Sequence, residues 1–165
     1  MPGEKTAITA KGREIVIERV FDAPLELVWK TWTEPERTKL WWGPKDFTCP
    51  FAKSDFRVGG EYLYAMRDAG GKDYWSGGVY REIVPMERIV ATDHFADEHG
   101  KKVPPSHYGM EGEWPTDDLV VTVTFEDLGG KTKLTLHHAG FPAADMGETQ
   151  GWNESLDKFA EALRR

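Results

Sequence analysis

Cysteine is the scarcest chemistry in this chain: Cys49 is the one thiol in 165 residues. A single thiol closes no internal disulfide and suits a reducing compartment. Long apolar runs are missing too. No stretch approaches the ~20 residues that a membrane-spanning helix needs, so membrane insertion is not expected. The opening residues, MPGEKTAITAKG, hold no apolar core of the kind a secretory leader carries, and the expected location is cytoplasmic. Basic charge is also short. The net charge is −7, and Lys101-Lys102 and Arg164-Arg165 are isolated pairs, whereas nucleic-acid binding rests on clustered Lys and Arg. No nucleic-acid partner is expected.

Catalytic signatures are equally thin. The five histidines show no H-x-x-x-H spacing and no C-x-x-C accompanies them, so neither a metal site nor a cofactor is expected. There is no G-x-S-x-G, and Ser54, Ser76, Ser106 and Ser155 stand in unrelated contexts. Cys49 precedes Pro50 with no base beside it and reads as an inert thiol.

What the chain has in quantity is aromatic surface, concentrated in one place. The segment D-A-P-L-E-L-V-W-K-T-W-T-E-P-E-R-T-K-L-W-W-G-P, Asp22 to Pro44, carries four of the seven tryptophans. Pro24 suits the first position of a helix, and Leu25, Val28, Trp29 and Trp32 form one apolar stripe. A second helix starts near Pro35. Thr33 and Glu36 have capping-box spacing, while Pro35 at the first position makes Glu34 the alternative cap. Gly43-Pro44 ends it. Trp29 and Trp32 at helical spacing are compatible with core packing as well as with a ligand wall. Trp41 and Trp42 are not, as a pair, because adjacent helical positions diverge by about 100°. One of the two should face a cavity mouth, another element or a partner.

Strand signals surround these helices. Glu14–Phe21 reads as a first strand after a loose N-terminus over residues 1–13. Six more follow: Phe47–Phe56, Glu61–Arg67, Tyr74–Val84, Arg88–Phe95, Leu119–Leu128 and Thr132–His138. Tight turns join most of them, so consecutive strands pair antiparallel. Residues 97–117 read as a long polar loop. From about Ala144 to Arg164 the pattern turns helical, with Trp152, Leu156, Phe159 and Leu163 on one stripe. The expectation is a single α+β domain over 14–165, its long C-terminal helix lying across the concave face of the sheet.

Alternation assigns the faces. Val121, Val123 and Phe125 share a side, as do Leu134, Leu136 and His138, with His137 on the wet side. Tyr62, Tyr64 and Met66 share another, placing hydroxyls inside. Each buried hydroxyl needs a partner, which a ligand, ordered water or a backbone carbonyl can supply. Gly147 and Gly151, one turn apart, predict that the long helix is weakest over Met146–Gly151.

D-A-P-x-E-x-V-W, P-E-R-x-x-x-W-W-G-P, R-x-G-G-E-Y at Arg57–Tyr62 and G-W-N-E-S-L-D-K at Gly151–Lys158 occur in order. Together they resemble the Hsp90-ATPase-activator homologue (AHSA1-like) branch of the START-like, or SRPBCC, superfamily. The resemblance spans about Glu14 to Leu163. It implies a helix-grip, Bet v 1-like fold in which a curved antiparallel sheet wraps the C-terminal helix and leaves a cavity that the two short helices close. That superfamily includes lipid and sterol carriers, polyketide cyclases and co-chaperone domains, so the fold sets no single chemistry. The activator's Hsp90-binding domain is a separate one for which this chain has no room, and an Hsp90 interaction is not expected.

The leading functional expectation is binding of a hydrophobic or aromatic small molecule in the cavity, by a monomer or homodimer. Its walls would comprise Trp29, Trp41, Trp42, Tyr62, Tyr64, Met66, Val121, Val123, His138 and Trp152, matching how small-molecule pockets are lined. One alternative is a polyketide cyclase- or dehydratase-like enzyme, or a hydrolase, with His138 as acid or base. Another is a co-chaperone-like interaction module that presents Trp41 or Trp42 to a partner.

Overall fold

A computed structural model describes residues 5–11, 14–109, 118–139 and 148–164. Eight strands form one sheet: β1 (Lys5–Lys11), β2 (Glu14–Phe21), β3 (Thr48–Ser54), β4 (Glu61–Arg67), β5 (Asp73–Val84), β6 (Arg88–Ala96), β7 (Leu119–Asp127) and β8 (Thr132–Ala139). Their spatial order is β1-β2-β8-β7-β6-β5-β4-β3, and every neighbouring pair is antiparallel. Between β2 and β3 lie α1 (Leu25–Thr33) and the single turn α2 (Pro35–Thr38); α3 (Glu148–Ala162) closes the chain. The chain therefore crosses from β2 to the opposite edge of the sheet by way of the tryptophan-bearing helices. This is the expected helix-grip arrangement, with one strand more.

The extra strand corrects the reading of residues 1–13 as loose. Lys5–Lys11 pairs along its length with Glu14–Val20. KTAITAK is nearly free of large apolar side chains and begins and ends on lysine. An edge strand needs a partner on one side only, and lysine is a common guard of such edges. Its signal in the sequence is correspondingly weak.

Helix boundaries also moved. Pro24 is the N-cap of α1, with Leu27 N and Val28 N donating to its carbonyl, so it sits one place before the first helical residue. The Thr33–Glu36 capping box does not form: Glu34 caps α2, and the Thr33 hydroxyl donates back to Trp29 O. The long loop is not wholly irregular. Pro105–Tyr108 makes a 3₁₀ turn, and its Tyr108 hydroxyl bonds Ala96 O on β6 while accepting from Trp75 N on β5. Of the two helix glycines, Gly147 lies outside the described residues, as does the Ala144–Gly147 start expected for the helix.

The core sits between the sheet and α3. Ile15, Ile17 and Phe21 of β2, Leu134 and Leu136 of β8, and Leu156 and Phe159 of α3 are each at most 2% exposed. Full burial of such a side chain stabilises by about 1.5–3 kcal/mol. Phe21 and Phe159 meet with ring centroids 5.0 Å apart. A buried cation pins the helix here: Arg19 on β2 reaches Asp157 at 2.8 Å and also donates to the Asn153 side chain. A carboxylate and an amide oxygen on one face of α3 thus accept from a guanidinium fork on the sheet.

Candidate functional site

Beyond that packed zone the interior changes character. Trp32 of α1, Trp42 just past α2, Trp152 of α3, and Phe56, Tyr62, Tyr64 and Tyr80 around the sheet surround the remaining space. Ile89, Ala91 and Asp93 of β6 and Val121 and Val123 of β7 complete its walls. The free volume is about 40 Å³. That is room for roughly three waters, at 10–15 Å³ apiece, and well short of the ~150 Å³ that holds a benzene. Aromatic contacts occupy most of the rest. Trp32 and Trp152 are near-parallel at 6.3 Å, Trp42 stands edge-on to Trp152 at 5.7 Å, and Trp42 meets Tyr64 at 4.8 Å.

The adjacent tryptophans diverge as their helical spacing requires. Trp41 is 1% exposed and points into the core against Phe159. Its indole N–H donates to Thr31 O at 2.9 Å. Trp42 takes the other direction and lines the cavity. Gly43 follows with φ +99°, a conformation that costs glycine little and lets the chain turn immediately after Trp42. Lys158 of α3 then fastens the next segment, donating to Pro44 O and Phe47 O, each at 3.0 Å. Glu154 accepts from Lys45 N, and Pro44 lies against Gly151. Burial of the Lys158 ammonium lowers its pKa, because desolvation disfavours the charged form.

The inward hydroxyls are satisfied within the protein. Tyr62 donates to Thr92 O at 2.6 Å, and the Tyr80 hydroxyl pairs with Ser54 Oγ at 2.7 Å. Gly78 makes the first bond possible. A Cβ there would lie 1.9 Å from Thr92 O and 2.9 Å from the Tyr62 ring, so only glycine lets the tyrosine lie flat across the strand. Burial pushes the Tyr62 and Tyr64 phenols well above their ordinary range, with the Asp93 charge adding to the effect on Tyr62.

His138 occupies the inner face of β8 but stands behind the cavity wall. The Trp152 indole N–H, which can only donate, bonds His138 Nδ1 at 2.9 Å. The ring proton then sits on Nε2, and Nε2 lies 3.0 Å from Asp93 Oδ2. Both nitrogens face protein groups, an arrangement of a positioned wall residue. His137 is outward, 2.8 Å from Glu14.

Of the residues expected at the site, Trp42, Tyr62, Tyr64, Val121, Val123 and Trp152 meet around one space. Four do not line it. Trp29 packs on Phe56 and Phe125, Trp41 is in the core, Met66 sits beside Gly43 past the end of the cavity, and His138 is behind Asp93 and Trp152. Sequence reasoning missed Trp32, Thr33, Phe56, Tyr80, Ile89, Ala91 and Asp93. The period of two along β6, which puts Ile89, Ala91 and Asp93 on one face, was the available signal for the carboxylate. Cys49 is buried and its thiol is pushed up to about 11 by desolvation; the thiol donates a hydrogen bond to Phe51 O. No group of three or more metal-binding side chains occurs among the described residues, and no helix there is long and apolar enough to cross a membrane.

Comparison with known proteins places this geometry in a family. The model of the "Activator of Hsp90 ATPase homolog 1-like protein" family matches residues 22–164. A crystal structure from Chromobacterium violaceum is 31% identical, covers 93% of this chain and 98% of its own, and superposes with a TM-score of 0.74. A solution structure from Arthrobacter aurescens is 26% identical, with coverage of 96% and 91% and a TM-score of 0.80. The AHSA1 protein of Silicibacter pomeroyi, at 21% identity, covers 92% of this chain and 97% of its own with a TM-score of 0.70, and shows the fold. Comparison with curated proteins returned no match.

Proposed function

From the premise that this chain belongs to the Activator of Hsp90 ATPase homolog 1-like family, we propose that it binds a small aromatic or hydrophobic molecule between the sheet and α3. The observation that carries this reading is the cavity wall. A domain that only needed to fill its interior has aliphatic side chains for the purpose, as its own β2–β8 end demonstrates. Here three tryptophans, three tyrosines and a phenylalanine instead leave space beside a carboxylate, the mixture of apolar surface and few polar groups that ligand pockets use. The free volume admits water only, so on this reading binding requires Trp42 or Trp152 to shift outward.

Binding is favoured over the two alternatives. A catalytic His138 would need a ring nitrogen facing the substrate, and both point elsewhere. An interaction module would need an exposed apolar patch at Trp41–Trp42. Among the described residues the large exposed apolar side chains are Leu40, Phe51, Val58 and Leu128, on separate elements.

Indole N–H resonances test the proposal. Adding indole, coumarin or 2-naphthol should shift the Trp152 and Trp42 signals and leave that of Trp41, bonded to Thr31 in the core, in place. If no one- or two-ring compound moves the Trp152 signal at millimolar concentration, the cavity is not a binding site.

A further inference from the structure

Among the described residues the cavity wall holds one charged side chain, and its surroundings select the ligand that can meet it. Asp93 lines the space with its side chain 20% exposed. Among the described residues its one ion-pairing neighbour is His138. That histidine is held in the form that presents a single proton, on Nε2, because Nδ1 accepts from Trp152. Among the described residues no lysine or arginine pairs with the Asp93 carboxylate. Trp32, Trp42, Trp152 and Tyr62 line the same space. Aromatic faces carry negative quadrupole density and attract cations. Carboxylate and rings thus act with the same sign: both draw a cation and both repel an anion.

Resting on the cavity reading above, we infer that the ligand class is a small aromatic amine bound as its ammonium, with its nitrogen at Asp93 and its ring among the tryptophans. His138 is a positioning residue here. Its Nε2 lies 3.0 Å from one Asp93 oxygen while its Nδ1 accepts from the Trp152 indole, so it links the carboxylate to a cavity wall. Fatty acids and other carboxylates are excluded from this end of the cavity by the same charge.

Three single-ring probes separate the possibilities: benzylamine (cationic at neutral pH), benzyl alcohol (neutral) and phenylacetate (anionic), each titrated by indole N–H shifts. Benzylamine should bind about tenfold more tightly than phenylacetate and several-fold more tightly than benzyl alcohol. Asp93→Asn, checked for folding by near-ultraviolet circular dichroism, should bring benzylamine to within about twofold of benzyl alcohol. The comparison of probes on the unaltered protein stands even if that variant does not fold. Equal or tighter binding of phenylacetate, or a benzylamine preference that survives folded Asp93→Asn, overturns the inference and leaves the cavity reading intact. Absence of binding by all three overturns both.

Discussion

The two ends of the space between sheet and helix are built from different materials. At the β2–β8 end, branched aliphatic side chains interlock with Leu156 and Phe159, and Ile17, Phe21, Leu134 and Leu136 are sealed from solvent completely. At the β4–β6 end, flat rings meet at centroid distances of 4.8 to 6.3 Å and leave about 40 Å³ open. Leucine and isoleucine can interdigitate to the density of an organic crystal. Large rigid plates that must also satisfy hydroxyls cannot fill every corner. One end of the fold is packed solid, and the other leaves the space to which the proposed ligand is assigned.

The largest effect expected at the aromatic end comes from the smallest side chain. Gly78→Ala drives a methyl into Thr92 O and the Tyr62 ring and should destabilise by more than about 4 kcal/mol, or prevent folding, because strand and ring must both move. Chemical denaturation measures it, and a variant as stable as the parent would show that the Tyr62 placement is wrong. At the aliphatic end, Leu136→Ala should cost about 2–5 kcal/mol while leaving the Trp152 indole resonance unshifted. If that resonance moves as well, the two ends are one cooperative core and the contrast fails.

A smaller effect uses pH, which should act on the aromatic end first because titratable groups are buried there. The Cys49 thiol is raised from 9.0 to about 11 in the folded protein. The unfolded chain loses this proton near pH 9 and the native state does not, so stability is full below pH 9 and falls as pH rises toward 11. The loss should be about 1 kcal/mol by pH 10. Lys158, shifted downward, contributes with the opposite sign and is present in parent and variant alike. Denaturant midpoints between pH 8 and 10 should therefore fall more steeply for the parent than for Cys49→Ala, and parallel curves would refute the shift.

Periodicity is what made most of the fold readable. Strands β2 to β8 announce themselves by alternation and by glycine turns, and α1 by its four-residue stripe. β1 was hidden because KTAITAK, with Ile8 its one large apolar residue, carries no hydrophobic alternation. The site was legible as a face but not as a depth. Met66 shares its face with Tyr64, yet two residues along a strand is about 7 Å, enough to carry it past the cavity to Gly43. Trp29 and Trp32 share a stripe too, but one turn of helix separates a core residue from a cavity wall. Asp93 obeyed the alternation of β6; an acidic residue on an apolar face reads as a strand end until its neighbours are known.

Trp42 and Trp152 belong to segments more than a hundred residues apart, but Lys158, Glu154 and Gly151 fasten the chain behind Trp42 to the helix that bears Trp152. Parting the two indoles therefore asks for more than a rotamer flip. Either two ammonium–carbonyl bonds break together or α3 slides on the sheet. Movements of that kind run on microseconds to milliseconds, against nanoseconds for an exposed side chain. A ligand bound as proposed would leave slowly, and its residence time would be set by a lysine that never touches it.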